Sequence, residues 1–147
     1  MDDFYVVISL RFEPTFFGWG DGDIWIRIVC SKEGRYTLLA DKVPGTSSEG
    51  GGYEDQEPVL SLKKDLRAKT VQSILDELDV LEIKAFPKQE MGDDGGFTEL
   101  EIGGYDGKAV YRWWCAAPES WQPLEDLAWK IRKLSGIDRK LKENSSY

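Results

Sequence analysis

The run Phe97-Thr98-Glu99-Leu100-Glu101-Ile102-Gly103, the turn Gly104-Tyr105-Asp106-Gly107 and the run Lys108-Ala109-Val110-Tyr111-Arg112-Trp113-Trp114 decide the fold. Two β-rich segments with alternating apolar residues flank a Gly/Asp turn, which is the pattern of an antiparallel hairpin. Counting back from the turn sets Glu99 opposite Arg112 and Leu100 opposite Tyr111. Leu100, Ile102, Tyr111 and Trp113 then share one face, read as core, while Glu99, Glu101, Arg112 and Trp114 share the other. A Glu99–Arg112 pair across this open face is expected to contribute about 0.2–1 kcal/mol, enough to favour the register without deciding stability.

Upstream, Phe4 to Phe12 reads as a strand closed by Glu13-Pro14, with Phe4, Val6, Ile8, Leu10 and Phe12 on one face. Tyr5, Val7, Ser9 and Arg11 fall on the other. Asp23 to Cys30 and Tyr36 to Ala40 form a second hairpin through Lys32-Glu33-Gly34-Arg35. Pro58 to Leu66 is a candidate further strand. Lys69 to Leu81 predicts a helix whose stripe is Val71, Ile74, Leu75 and Leu78, with Asp76, Glu77, Asp79 and Glu82 toward water. Pro123 opens a last helix with the stripe Leu124, Leu127, Ala128, Ile131 and Leu134; Gly136 ends it, and the chain after Leu141 reads as a frayed tail. The fold class expected is α+β: one domain over 1–147, an antiparallel sheet of about five strands with two amphipathic helices packed on one face.

None of the 147 residues is histidine. Without the side chain that titrates between pH 5 and 8, Ser-His-Asp and Cys-His catalysis and most transition-metal sites are excluded. Cys30 and Cys115 are too few for a disulfide framework, and both read as small buried thiols inside apolar strands. No apolar run approaches the ~18–20 residues needed to span a bilayer. The start Met1-Asp2-Asp3 lacks a basic signal region, so a cytoplasmic location is expected and no membrane partner.

The net charge is −8, and it is unevenly spread. Val43 to Asp106 holds 15 acidic and 6 basic residues, a net of −9, whereas Lys130 to Tyr147 holds 6 basic and 2 acidic, a net of +4. Such a chain repels phosphates, so direct nucleic-acid binding is not expected, and its acidic surface favours a cationic partner. Gly45 to Glu57 is an exposed acidic loop, and Phe86 to Gly96 is a second irregular acidic segment.

Each chemical motif fails on inspection. Glu99 and Glu101 are two apart on one strand face, yet Arg112 lies across the ladder and no sugar cleft is indicated. Asp93-Asp94-Gly95 and Asp21-Gly22-Asp23 lack the remaining ligands of a calcium loop. Gly18-Trp19-Gly20-Asp21-Gly22 and Gly50-Gly51-Gly52 lack the Gly-Lys-Ser/Thr ending of a phosphate loop. No catalytic residue, metal ligand or cofactor is therefore expected. Phe16-Phe17-Gly18-Trp19 and Trp113-Trp114 with Trp121 are either core packing or interface anchors, and Trp19 and Tyr53, flanked by Gly and acid, are the best exposed anchors.

Thr98-Glu99-Leu100-Glu101-Ile102, Tyr111-Arg112-Trp113-Trp114 and Pro118-Glu119-Ser120-Trp121-Gln122-Pro123-Leu124 resemble the C-terminal half of small uncharacterised bacterial proteins, as a packing signature rather than a catalytic one. In character the chain resembles the immunity proteins of contact-dependent inhibition and other polymorphic toxin systems. That resemblance implies a non-enzymatic inhibitor that covers the active site of a cognate, basic, nuclease-type toxin domain. The partner-binding residues expected are Trp19, Glu49, Tyr53, Glu54, Asp55, Glu57, Asp93, Asp94, Glu99 and Glu101, which gather carboxylates without offsetting lysines. The alternative is a non-catalytic accessory or small-ligand-binding domain with an aromatic pocket.

Overall fold

The computed structural model describes residues 4–14, 22–43, 57–88, 96–104 and 107–144. Strands β1 (Phe4–Pro14), β2 (Ile24–Ser31), β3 (Tyr36–Lys42), β4 (Leu60–Leu66), β5 (Gly96–Gly104) and β6 (Gly107–Trp114) form one antiparallel sheet in the order β4-β3-β2-β1-β5-β6. Helix α1 (Ala68–Asp79) connects β4 to β5, and α2 (Gln122–Ser135) and α3 (Ile137–Asn144) follow β6 after a 3-10 turn at Glu119–Trp121. The class is α+β, as read from the sequence. The sheet is larger than expected because Leu60–Leu66 pairs with β3, Leu62 lying beside Ala40.

β1 occupies the middle of the sheet, bonded to β2 on one side and to β5 on the other. Its alternation breaks near its start, where the pairing with β2 shifts between Val6 and Ile8. The extra residue of this bulge is Val7. Val7 is buried, while Phe4 and Val6, expected on the core face, are 44% and 41% exposed. Beyond the bulge the expected period holds, with Ile8 and Leu10 buried.

The core fills one face of the sheet. Ile8, Leu10, Ile26, Ile28, Leu38, Leu100 and Trp113 meet Val71 and Ile74 from α1, Leu124, Leu127 and Ile131 from α2, and Ile137 from α3. Cys30 is buried in the same cluster opposite Tyr36. Burial, with Cys30 beside it, raises the pKa of the Tyr36 phenol.

The β5–β6 register is the one counted from the turn, Glu99 beside Arg112 and Leu100 beside Tyr111. Two details differ. Trp114 points away from the core yet is buried, because Phe97 packs edge-on against it with ring centroids 4.8 Å apart. Arg112 passes over the Phe97 ring and reaches Glu13 at 2.9 Å, so the expected Glu99–Arg112 pair gives way to a diagonal bond across three strands.

After α2 the chain continues as α3 through Asn144, which takes in the first part of the tail expected to fray; residues 145–147 lie outside the described residues. Gly136 takes φ +73°, a left-handed conformation in which a side chain is strained. The Ser135 hydroxyl donates to Arg132 O at 2.6 Å and accepts from Ile137 N–H at 3.2 Å, restarting the chain as α3. Arg132 then grips Asp138 through Nε and Nη2 at 2.9 and 2.8 Å. The helix was hard to read because only Ile137 and Leu141 are apolar in its eight residues.

Trp113 is fully buried where β6 meets the 3-10 turn, 6.4 Å from the Trp121 ring. Trp113→Ala is expected to cost about 3–5 kcal/mol in urea unfolding, as for other buried aromatics. Val80→Ala, at a position 78% exposed, should change stability little. Equal effects of the two substitutions would contradict the packing described.

Candidate functional site

The ends of β1, β3 and β6 and the starts of β2, β4 and β5 lie together at one end of the sheet. Val43 N–H donates to Asp23 O at 3.0 Å, Val59 N–H to Lys42 O at 2.8 Å, and Cys115 N–H to Gly96 O at 2.7 Å. Lys42 Nζ bridges to Gly22 O at 2.6 Å. Pro14, Gly22, Val43 and Gly96, which border the stretches 15–21, 44–56 and 89–95, therefore lie at this end.

A cavity of about 370 Å³ opens here between the sheet and α2. Phe12, Ile24 and Phe97 supply its apolar wall, Thr98, Lys42 and Arg132 its polar one, and Glu13 and Cys115 its rim. Ile24 and Thr98 are buried, as the central strands require. Arg132 comes from α2, held by its two bonds to Asp138, with its guanidinium 4.6 Å from the Phe12 ring centroid and 4.9 Å from that of Trp129. Trp129 also packs on Phe12 at 5.4 Å between centroids while remaining 52% exposed. Glu13 is occupied by arginines, Oε2 with Arg112 at 2.9 Å and Oε1 with Arg11 at 3.7 Å.

This arrangement offers donors and aromatic surface fixed from several elements at once. Among the described residues no three His, Cys, Asp or Glu side chains gather as a metal site. No helix among them is long and apolar enough to cross a membrane.

The open face of the sheet continues from the cavity. Trp25 donates from Nε1 to Ser9 Oγ at 2.8 Å, with the Arg11 and Arg27 guanidinium groups 4.9 and 4.2 Å from its ring centroid. Asp41 takes Arg27 at 3.2 Å and the Ser61 hydroxyl at 2.7 Å. Cation–π stacking with both arginines also ion-paired makes this a charge-balanced surface.

Of the expected partner-binding residues, Trp19, Glu49, Tyr53, Glu54, Asp55, Asp93 and Asp94 lie outside the described residues. Glu57 is exposed just before Val59, at the cavity end. Glu99 and Glu101 are half-buried on the open face, Glu99 in register with Arg11. They do have offsetting cations. Lys108 Nζ lies 2.8 Å from Glu101 Oε1, and its pKa is raised by that hydrogen bond and charge, with a smaller contribution from Glu99. The strand face is thus less acidic than its carboxylates alone imply.

Sequence reasoning missed Phe12 as a site residue, having assigned it to the core, and missed Trp129 and Arg132 altogether. A usable signal was present for Trp129, a tryptophan lying off the apolar stripe of an amphipathic helix. No family model matches the chain, and no curated protein matches it.

Cys115, expected from the sequence to be a buried strand thiol, is exposed. The chain leaves β6 at Trp114, and Cys115 turns with φ +54° so that its N–H still bonds β5 while its side chain faces outward. A maleimide should label Cys115 in the native protein and Cys30 only after unfolding. Equal labelling of both thiols, or of neither, in the native state would contradict this placement.

Proposed function

We propose that the protein is a cytoplasmic, non-catalytic inhibitor of the immunity type that binds a basic, nuclease-type toxin domain and occludes its active site. The observation that carries the reading is the cavity end of the sheet. An exposed tryptophan and a fixed arginine border a concavity beside Val43, Glu57 and Gly96, the described residues next to the acid-rich stretches 44–56 and 89–95. Tryptophan and arginine are the side chains that most often dominate protein interfaces. Surrounding carboxylates would steer a cationic partner toward them and speed association. The chain's net charge of −8 and its lack of histidine support binding over catalysis.

The size of the cavity favours a second reading, a small-ligand-binding domain, since about 370 Å³ lies within the range of ligand pockets. The two readings separate on what Trp129 meets. In an inhibitor it anchors a protein surface and its loss abolishes protection; in a ligand-binding domain the purified protein binds a small apolar molecule and no toxin.

Co-expression with its cognate toxin should protect cells, and the two proteins should co-purify. Trp129→Ala should weaken the complex by about thirtyfold, the scale of an interface hot spot. Reversing Glu54, Asp55, Asp93 and Asp94 together should slow association and flatten its salt dependence while barely changing folding. Reversing Lys140 and Lys142 should leave binding intact. Protection without a complex, or weakening by the lysine reversals alone, would overturn the reading.

A further inference from the structure

A second concavity, of about 480 Å³, lies between α1 and α2 where β4 ends. Ile74 and Leu134 form its floor, and Lys69, Ser73, Lys130 and Lys133 stand around it. Both sides are fixed: Lys130 Nζ meets Glu77 Oε1 at 2.6 Å, joining α2 to α1, and Lys64 Nζ donates to Leu134 O at 3.1 Å, joining β4 to α2. Among the described residues neither Lys69 nor Lys133 meets a carboxylate.

Helix electrostatics explain only one of these lysines. Lys133 lies in the last turn of α2, the end of a helix that favours cations. Lys69 lies in the first turn of α1, the end that disfavours them. That turn contains no acidic residue, and its cap, Arg67, makes no side-chain hydrogen bond. A chain with a net charge of −8 thus places an ammonium that meets no carboxylate among the described residues where its own helix opposes it, with a second beside the same apolar floor.

We propose that this groove docks an acidic amphipathic helix of a partner protein, apolar residues on Ile74 and Leu134 and carboxylates on Lys69 and Lys133. Charge complementarity selects the occupant, and an open trough between two helices suits a helix laid along it. This surface is chemically opposite to the acidic end of the sheet. A cationic toxin would avoid it, so the site is independent of the inhibitor reading.

The test uses the full chain and a fluorescein-labelled probe helix of roughly four turns, with leucine at every third and fourth position and glutamate elsewhere. Anisotropy should report binding that weakens with salt. The Lys69→Glu/Lys133→Glu double variant should lose about tenfold in affinity. Lys63→Glu, at an exposed position on the far face of the sheet, should lose nothing. A probe with glutamine in place of glutamate should bind about tenfold more weakly. Equal binding of the two probes, or no effect of the double variant, would overturn the proposal. So would displacement of the probe by inorganic phosphate, which would make the groove a small-anion site. Stronger lysine-dependent binding to phosphatidylglycerol vesicles than to the probe would likewise reassign it to a membrane surface.

Discussion

The pairing of β1 with β5 is the constraint from which the rest of the structure follows. Ile8 beside Ile102 and Leu10 beside Leu100 join the first strand to a hairpin far along the chain. Without that ladder the four strands β4-β3-β2-β1 and the two-stranded hairpin of β5 and β6 would be separate pieces, the hairpin marginal in water. With it they present one continuous apolar face that the helices cover. The same ladder brings Phe12, Glu13, Phe97 and Thr98 side by side, which forms the cavity wall.

The Val7 bulge has a consequence for both faces. Inserting one residue lets the first turns of β1 expose Phe4 and Val6 while the remainder keeps Ile8 and Leu10 inside. The open face is consequently apolar near the start of β1 and becomes polar and aromatic toward the cavity, through Ser9, Arg11 and Glu13. Its carboxylates are consumed locally, Glu13 by arginines and Glu101 by Lys108. Net charge therefore misstates what a partner would meet there; the described part of that surface is balanced. In the lysine groove, by contrast, Lys69 and Lys133 meet no carboxylate among the described residues.

The elements with many periodic residues were legible in the sequence. The Glu99–Arg112 register, the Gly34 hairpin and the α2 stripe each followed from local pattern, because turn chemistry and burial impose their periods directly. What escaped notice depended on long-range geometry. A bulge cannot be seen in Phe4–Phe12, since the alternation looks regular until β2 fixes the register. The diagonal Arg112–Glu13 bond needs β1 and β6 to flank the same strand. The cavity likewise combines residues from both ends of the chain, and nothing in the neighbourhood of Arg132 or Trp129 announces Phe12. Of the acidic loop residues chosen from composition, only Glu57 falls among the described residues, on the cavity side.

Hydrogen exchange of the complex with its toxin tests most directly whether the cavity end is the binding surface. Amides at 22–24, 96–98, 115–116 and 129–132 should slow on binding, with those of β4 and α3 unchanged. Protection confined to β4 and α3, with the cavity amides exchanging as in the unbound protein, would contradict the account.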